Sequence, residues 1–250
     1  MVGRSRIIII GALLTLGALM CLPSPAFAPP PPPGKCDGSD ACTDNTGFVG
    51  PGACIGDLSC FANSGTASKN GCHELGACAF NSGFVDQGAC VGQGACFDNS
   101  GTVLKNSCQD HGACLSNAGF IGEGACQGEF ACHSNHGDIR KGGCIGSQAC
   151  VENTGQVGEG ACGGDSACLE NPNDIGKHGC QGSDACIFRT GPVAQDACVG
   201  EAACGGSGPG AIGKGACIGD RACLGNPGPI AAFTCVGEPV GGVGVCEVAP

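Results

Sequence analysis

Aliphatic side chains return at a fixed interval of 18 residues along most of this chain. Val49, Val85, Val103, Ile121, Ile139, Val157, Ile175 and Val193 share one column with the smaller Ala67. Ile212 and Ile230 continue it after a one-residue slip near Gly208-Pro209-Gly210. Neither a helix nor a lone strand repeats at that interval. A chain wound in 18-residue coils, each laid on the last, turns the column into a buried ridge. Polar columns keep the same beat. Four residues before the aliphatic stands asparagine, at Asn45, Asn63, Asn81, Asn99, Asn117, Asn135, Asn153, Asn171 and Asn226. Between the two columns lies glycine, from Gly47 and Gly65 through Gly155, then Gly191 and Gly228. The glycine predicts a turn with positive φ, and the asparagine predicts amide bonds to that turn and to its stacked neighbours. The predicted fold is all-β, a β-solenoid (β-helix) of about 11–12 stacked 18-residue coils with disulfides, roughly 55 Å long at about 4.8 Å per rung.

The cysteines carry the strictest register. First cysteines stand at Cys36, Cys54, Cys72, Cys90, Cys108, Cys126, Cys144, Cys162, Cys180 and Cys198. Six residues behind each come Cys42, Cys60, Cys78, Cys96, Cys114, Cys132, Cys150, Cys168, Cys186 and Cys204. After the slip the pair is Cys217 and Cys223, and Cys235 with Cys246 then breaks the spacing as a terminal cap would. Counting each first cysteine as position 1 puts asparagine at position 10, glycine at 12 and the aliphatic at 14. Alanine usually precedes the second cysteine, as at Ala77, Ala95 and Ala113. The chain holds 49 Gly, 25 Cys and 10 Phe, with no Trp and no Tyr, too few bulky groups for a wide core. Cysteine at this density points to a disulfide scaffold in an oxidising compartment.

The N-terminus agrees with that compartment. Arg4 and Arg6 precede an apolar run from Ile7 to about Leu22, and Ala26-Phe27-Ala28 has a small-x-small cleavage form, so residues 1–28 are expected to be a signal peptide. Pro29 to Pro33 open a Pro-rich spacer over 29–35, the cysteine-rich repeats run over 36–234, and a C-terminal cap covers 235–250. Without the leader, nine basic residues face 22 acidic ones, a net charge of −13. That balance argues against nucleic acid and anionic membranes as partners. A secreted, extracellular or cell-surface protein is expected, with no membrane insertion of the mature chain.

Two known families share parts of this pattern. Ile55-Gly56-Asp57-Leu58-Ser59, Val91-Gly92-Gln93-Gly94-Ala95, Ile145-Gly146-Ser147-Gln148-Ala149 and Val157-Gly158-Glu159-Gly160-Ala161 look like the hexapeptide motif of left-handed β-helices, three of which make one 18-residue coil. The C-x5-C pairs resemble beetle antifreeze proteins, β-solenoids with a disulfide inside each shorter coil. The resemblances imply opposite phases. Strand neighbours face opposite sides, so positions 1 and 2 are not both interior. The hexapeptide phase buries position 2; the beetle phase buries the cysteines. Position 2 accepts Asp37, His73, Gln109, Gln127 and Gln181, whereas the cysteine column accepts nothing else, which favours cysteines inside. Buried cysteines would bridge within the coil, as Cys36–Cys42 and Cys54–Cys60; exposed ones would bridge between rungs. Spacing leaves the connectivity open.

Candidate chemistry is sparse. No C-x2-C pair suggests a metal centre. His73, His111, His133, His136 and His178 fall in five different columns, so no catalytic set assembles, and neither a cofactor nor enzymatic activity is expected. Gly163-Gly164-Asp165 is similar to calcium-binding glycine repeats but occurs once. Position 16 alternates Lys69, Lys105, Lys141, Lys177 and Lys214 with Pro51, Gln87, Glu123, Glu159 and Gln195, which keeps lysines off one another in the stack. Phe48, Phe84 and Phe120 recur every second coil at position 13. Apolar position 8, with Phe61, Phe97, Leu115, Val151, Leu169, Ile187 and Leu224, is either a face for an unidentified extracellular partner or part of the core. The expected function is a rigid, disulfide-stapled structural or adhesive rod. The alternative is an ice-binding surface, suggested by the hydroxyls of Thr46, Ser64, Ser82 and Ser100 at position 11 and of Thr66 and Thr102 at position 13.

Overall fold

The computed structural model describes residues 36–206 and 208–237. The expected signal segment 1–28, the spacer 29–35, Cys246 and the cap beyond residue 237 lie outside the described residues. Six two-residue strands lie in one parallel sheet in chain order: β1 Phe48–Val49, β2 Thr66–Ala67, β3 Phe84–Val85, β4 Thr102–Val103, β5 Phe120–Ile121 and β6 Asp138–Ile139. Each pairs with its equivalent 18 residues on, Phe48 opposite Thr66 and Val49 opposite Ala67. In each strand position 13 faces out and position 14 faces in, as a pleat requires. Parallel bridges carry the position-14 column on from Ile139 through Val157, Ile175, Val193 and Ile212 to Ile230. A second column bridges position 2 from Asp37 to Val236, twelve rungs in all. The chain is an all-β solenoid with the expected register.

The arc between the cysteines is built from turns rather than strands. In the coil that starts at Cys72, Ala77 N–H donates to Glu74 O at 3.2 Å, Ala79 to Gly76 at 3.1 Å and Asn81 to Cys78 at 3.3 Å. Alternate residues from just before that coil onward, Asn70, Cys72, Glu74, Gly76, Cys78 and Phe80, carry positive φ of 54°, 60°, 91°, 66°, 55° and 58°. A residue with positive φ in third place is the mark of a type II turn, and here the turns overlap end to end. Non-glycine residues resist this region by about 1–2 kcal/mol each. The conformation therefore persists only because something else holds it. Its geometric effect is to break the strand rule that neighbours face opposite ways. Ala77 and Cys78 are both fully buried, as are Ala53 and Cys54.

Backbone hydrogen bonds supply the hold. In the coil of Cys90, the amides of Val91, Cys96 and Ser100 donate to the following coil at 3.2, 3.0 and 2.9 Å. Those of Gly92, Gly94 and Asp98 donate to the preceding coil at 3.1, 2.8 and 2.9 Å. Each coil is thus tied in both directions, and buried peptide groups find partners.

The interior is narrow and made of few residue types. Cysteines at positions 1 and 7, alanines at 6, small residues at 18, asparagine at 10 and the aliphatic at 14 fill it, nearly all with no exposed surface. The cysteines face inward and position 2 is half-buried or exposed, never buried, so the buried-cysteine phase is the one adopted. Eleven disulfides close within their own coils, from Cys36–Cys42 to Cys217–Cys223, with Cα–Cα separations of 5.5–6.1 Å inside the usual disulfide range. Cys235 is also disulfide-bonded.

Asparagine forms a continuous amide ladder. Nδ2 of Asn63 donates to Asn45 Oδ1 at 2.7 Å, and the chain of bonds runs through Asn81, Asn99, Asn117, Asn135 and Asn153 to Asn171, lengthening to 3.3 Å at its last step. Each amide also reaches the carbonyl two residues on, as Asn117 reaches Gly119 O at 3.0 Å. One expectation is corrected here. The position-12 glycines do not carry positive φ. They are needed because a Cβ on Gly101 would stand 2.1 Å from Gly119 O of the next coil. Close stacking, not turn handedness, excludes a side chain.

Candidate binding surfaces

Position 8, expected as either a partner face or part of the core, lies at the edge of the solenoid. Phe61, Phe97, Leu115, Val151, Leu169 and Ile187 are half-buried, and Leu224 is exposed. The column is neither core nor fully solvated. Backbone pairing keeps it in line, since Phe80 N–H donates to Phe61 O and Ser116 N–H to Phe97 O, both at 2.8 Å. Phe80, at position 9, joins it: its ring meets Phe61 edge-on at 5.5 Å and Phe97 at 5.3 Å. Column reading missed Phe80 because its column is otherwise mostly polar. Its signal was the separation of 19 and 17 residues from two other phenylalanines, one residue either side of a coil.

A second surface covers the outward side of β1 to β5. There Phe48, Thr66, Phe84, Thr102 and Phe120 alternate up the sheet, and Thr46, Ser64, Ser82 and Ser100 rise beside them across the glycine column. Phe48 is 59% exposed and Phe84 40%. Further along, a groove of about 380 Å³ is lined by the position-13 residues Gln156, Asp174, Pro192 and Ala211 beside the position-14 column, with Arg140.

Charges elsewhere serve the stack. Lys141 meets Glu123 at 3.4 Å and Lys177 meets Glu159 at 3.3 Å, the position-16 alternation expected. Both pairs are exposed and worth little individually. Asp165, of the calcium-like tripeptide, accepts Ser147 N–H at 2.9 Å, as Asp57 accepts Ser39 and Asp220 accepts Glu201, both at 2.8 Å. The histidines stay dispersed: His73 bonds Gly52 O, His136 bonds Ser134 O, His178 meets Asp196, and His111 and His133 flank the ring of Phe130. Sulfur triads within 4.8 Å, such as Cys90, Cys96 and Cys108, are stacked disulfides, whose bonded sulfurs are not thiolate ligands.

One interior residue breaks the pattern. Arg189 takes position 10 where asparagine belongs and is fully buried. Its Nη2 donates to Gly210 O, while Nε and Nη1 have no partner. Burial lowers its pKa to about 10, still protonated at neutral pH. The one-residue insertion at Gly208-Pro209-Gly210 lies in the next coil beside it, where a longer arc makes room for a longer side chain.

Among the described residues no helix is long and apolar enough to cross a membrane. No curated protein and no solved structure matches the chain. A family model described as a domain of unknown function (DUF7640) matches residues 52–167 and again 161–249, so that two tandem matches span most of the coils. The chain belongs to that family.

Proposed function

We propose that this protein acts outside the cell as a non-enzymatic structural and adhesive rod. The observation that carries this reading is the interior: eleven intracoil disulfides and an amide ladder fill it, with a one-residue insertion as the sole length change among the described coils. Catalytic sites need loops that build a cleft, and coils of constant length provide none. Disulfides in this number suit an oxidising, extracellular setting, and the acidic surface keeps such a rod soluble. The apolar ridge of Phe61, Phe80 and Phe97 gives it a surface to hold others by.

The test is capture of extracellular material by the exported chain, compared with a Phe61→Ser, Phe97→Ser, Leu115→Ser variant. The reading expects binding by the parent, weaker binding by the variant and all disulfides intact in both. Digestion of oxidised residues 36–237 to small peptides under native conditions would refute the rod. Ice binding is the second reading, supported by the exposed hydroxyl column of Thr46, Ser64, Ser82 and Ser100 beside the parallel sheet. Thermal hysteresis decides it.

A further inference from the structure

We infer that the face carrying Phe48, Phe84 and Phe120 binds an unsubstituted, neutral β-1,4-linked glucan, with the sugar chain lying along the solenoid axis. The inference rests on the reading of the chain as an adhesive rod and adds to it a second face with a named partner. Three observations support it.

The first is exposure. Phe48 and Phe84 show 59% and 40% of their surface to solvent, on the outward side of a sheet whose core is filled from the other side. An exposed ring on a flat sheet presents its π face or edge to whatever lies against the sheet. The apolar C–H face of a pyranose ring is such a surface.

The second is spacing. The three phenylalanines are two rungs apart, about 9.6 Å at about 4.8 Å per rung. Every second ring of a β-1,4-linked glucan recurs at a closely similar step. Thr66 and Thr102 occupy the rungs between, where their hydroxyls meet the sugar hydroxyls at the ring edge.

The third is charge. The chain carries a formal net charge of −11, yet positions 11 and 13 hold no charged residue from the first coil through the fifth. The run ends at Asp138 in β6. An uncharged strip on an acidic protein complements a neutral polymer and not an ionic one. The position-12 glycines keep the strip without a pocket, which fits a glucan lacking ring substituents. Disulfides and the amide ladder fix the rings before binding, so little ordering is left to oppose it.

The experiment is depletion of the full exported chain by microcrystalline cellulose, in parallel with chitin. The parent is expected to bind cellulose, with an affinity that salt hardly changes. Replacing Phe48, Phe84 and Phe120 together by Ser is expected to weaken binding roughly tenfold to a hundredfold, from three stacked rings. Phe188→Ser, at an exposed phenylalanine outside the strip, keeps parental cellulose binding. Retained disulfides and circular dichroism show that the variants fold, and Phe84→Trp, with a larger ring, tightens binding about twofold. Equal binding by the triple variant, or equal binding to chitin, overturns the glucan assignment. Adhesion to other extracellular material lost only in the Phe61→Ser, Phe97→Ser pair overturns it too, while leaving the adhesive reading intact. Failure to bind any surface removes both.

Discussion

Asn117 stands at the middle of the amide ladder, and its removal tests whether that ladder or the disulfides alone hold the coils in register. Its Nδ2 donates to Asn99 Oδ1 at 2.9 Å and to Gly119 O at 3.0 Å, and its Oδ1 accepts from Asn135 Nδ2 at 3.0 Å. In Asn117→Ala, Asn99 Oδ1 loses its ladder donor in a dry interior, which costs about 1–3 kcal/mol. Asn135 keeps its bond to Gly137 O at 2.8 Å and forfeits one of two, about 0.5–1.5 kcal/mol. Gly119 O keeps Thr102 N–H at 3.2 Å and adds little. With the small void, the loss is about 3–4 kcal/mol. A repeat array opens locally, so the measurement is amide exchange at Gly119 and Gly137 in the oxidised protein, with guanidinium unfolding beside it. Protection is expected to fall there and stay near parental values at Cys54 and Cys198. Asn117→Asp sharpens the test. A buried carboxylate facing Asn99 Oδ1 has its folded pKa raised above the unfolded value of about 3.9, so the variant is destabilised as pH rises past that value and recovers below it. A loss under about 1 kcal/mol for Asn117→Ala, or an even fall in protection along the stack, would show that the ladder is a passenger on the disulfides.

Other expected outcomes are briefer. Arg189→Asn extends the ladder by one rung and removes two unpartnered buried donors, so guanidinium unfolding should show a gain of about 1–3 kcal/mol. Removing Cys108 and Cys114 together as alanines frees a short loop worth about 2.4 kcal/mol on the chain-entropy model, with hydrogen exchange rising at that coil and its neighbours. Gly101→Ala, whose Cβ would meet Gly119 O at 2.1 Å, should disrupt stacking at that coil by circular dichroism and exchange. Gly94→Ala, with open space but a φ of +66°, should cost about 1 kcal/mol of backbone strain and leave the stack intact.

What the sequence made legible was whatever repeats on the coil. The 18-residue register, the inward cysteines, the position-14 ridge and the stacked asparagines all follow from columns, since any residue that must meet its own equivalent is constrained once per turn. Features that depend on conformation inside the coil were hidden. Ala77 and Cys78 face the same way only because alternate residues carry positive φ, and cysteine or phenylalanine in that region gives no compositional warning. The position-12 glycines misled for the same reason, because a glycine demanded by a neighbouring carbonyl reads the same as one demanded by its own φ. Phe80 and Arg189 escaped as departures from mostly polar columns. Of the candidate surfaces, position 8 was identified by residue, but its half-buried state was not legible from a one-dimensional count.

Each of the eleven disulfides from Cys36–Cys42 to Cys217–Cys223 closes on its own coil, and none of them passes to the next. The covalent thread between successive rings is therefore a single strand of backbone. A peptide bond cut among the five residues between paired cysteines leaves both ends tethered by sulfur. One cut on the outer arc, between a second cysteine and the next first one, leaves two fragments joined by hydrogen bonds and contact alone. Durability of the molecule as one piece accordingly depends on the unstapled arc, where the binding strip of Phe48, Phe84 and Phe120 also lies, and anything seated on that strip would splint the rings it spans.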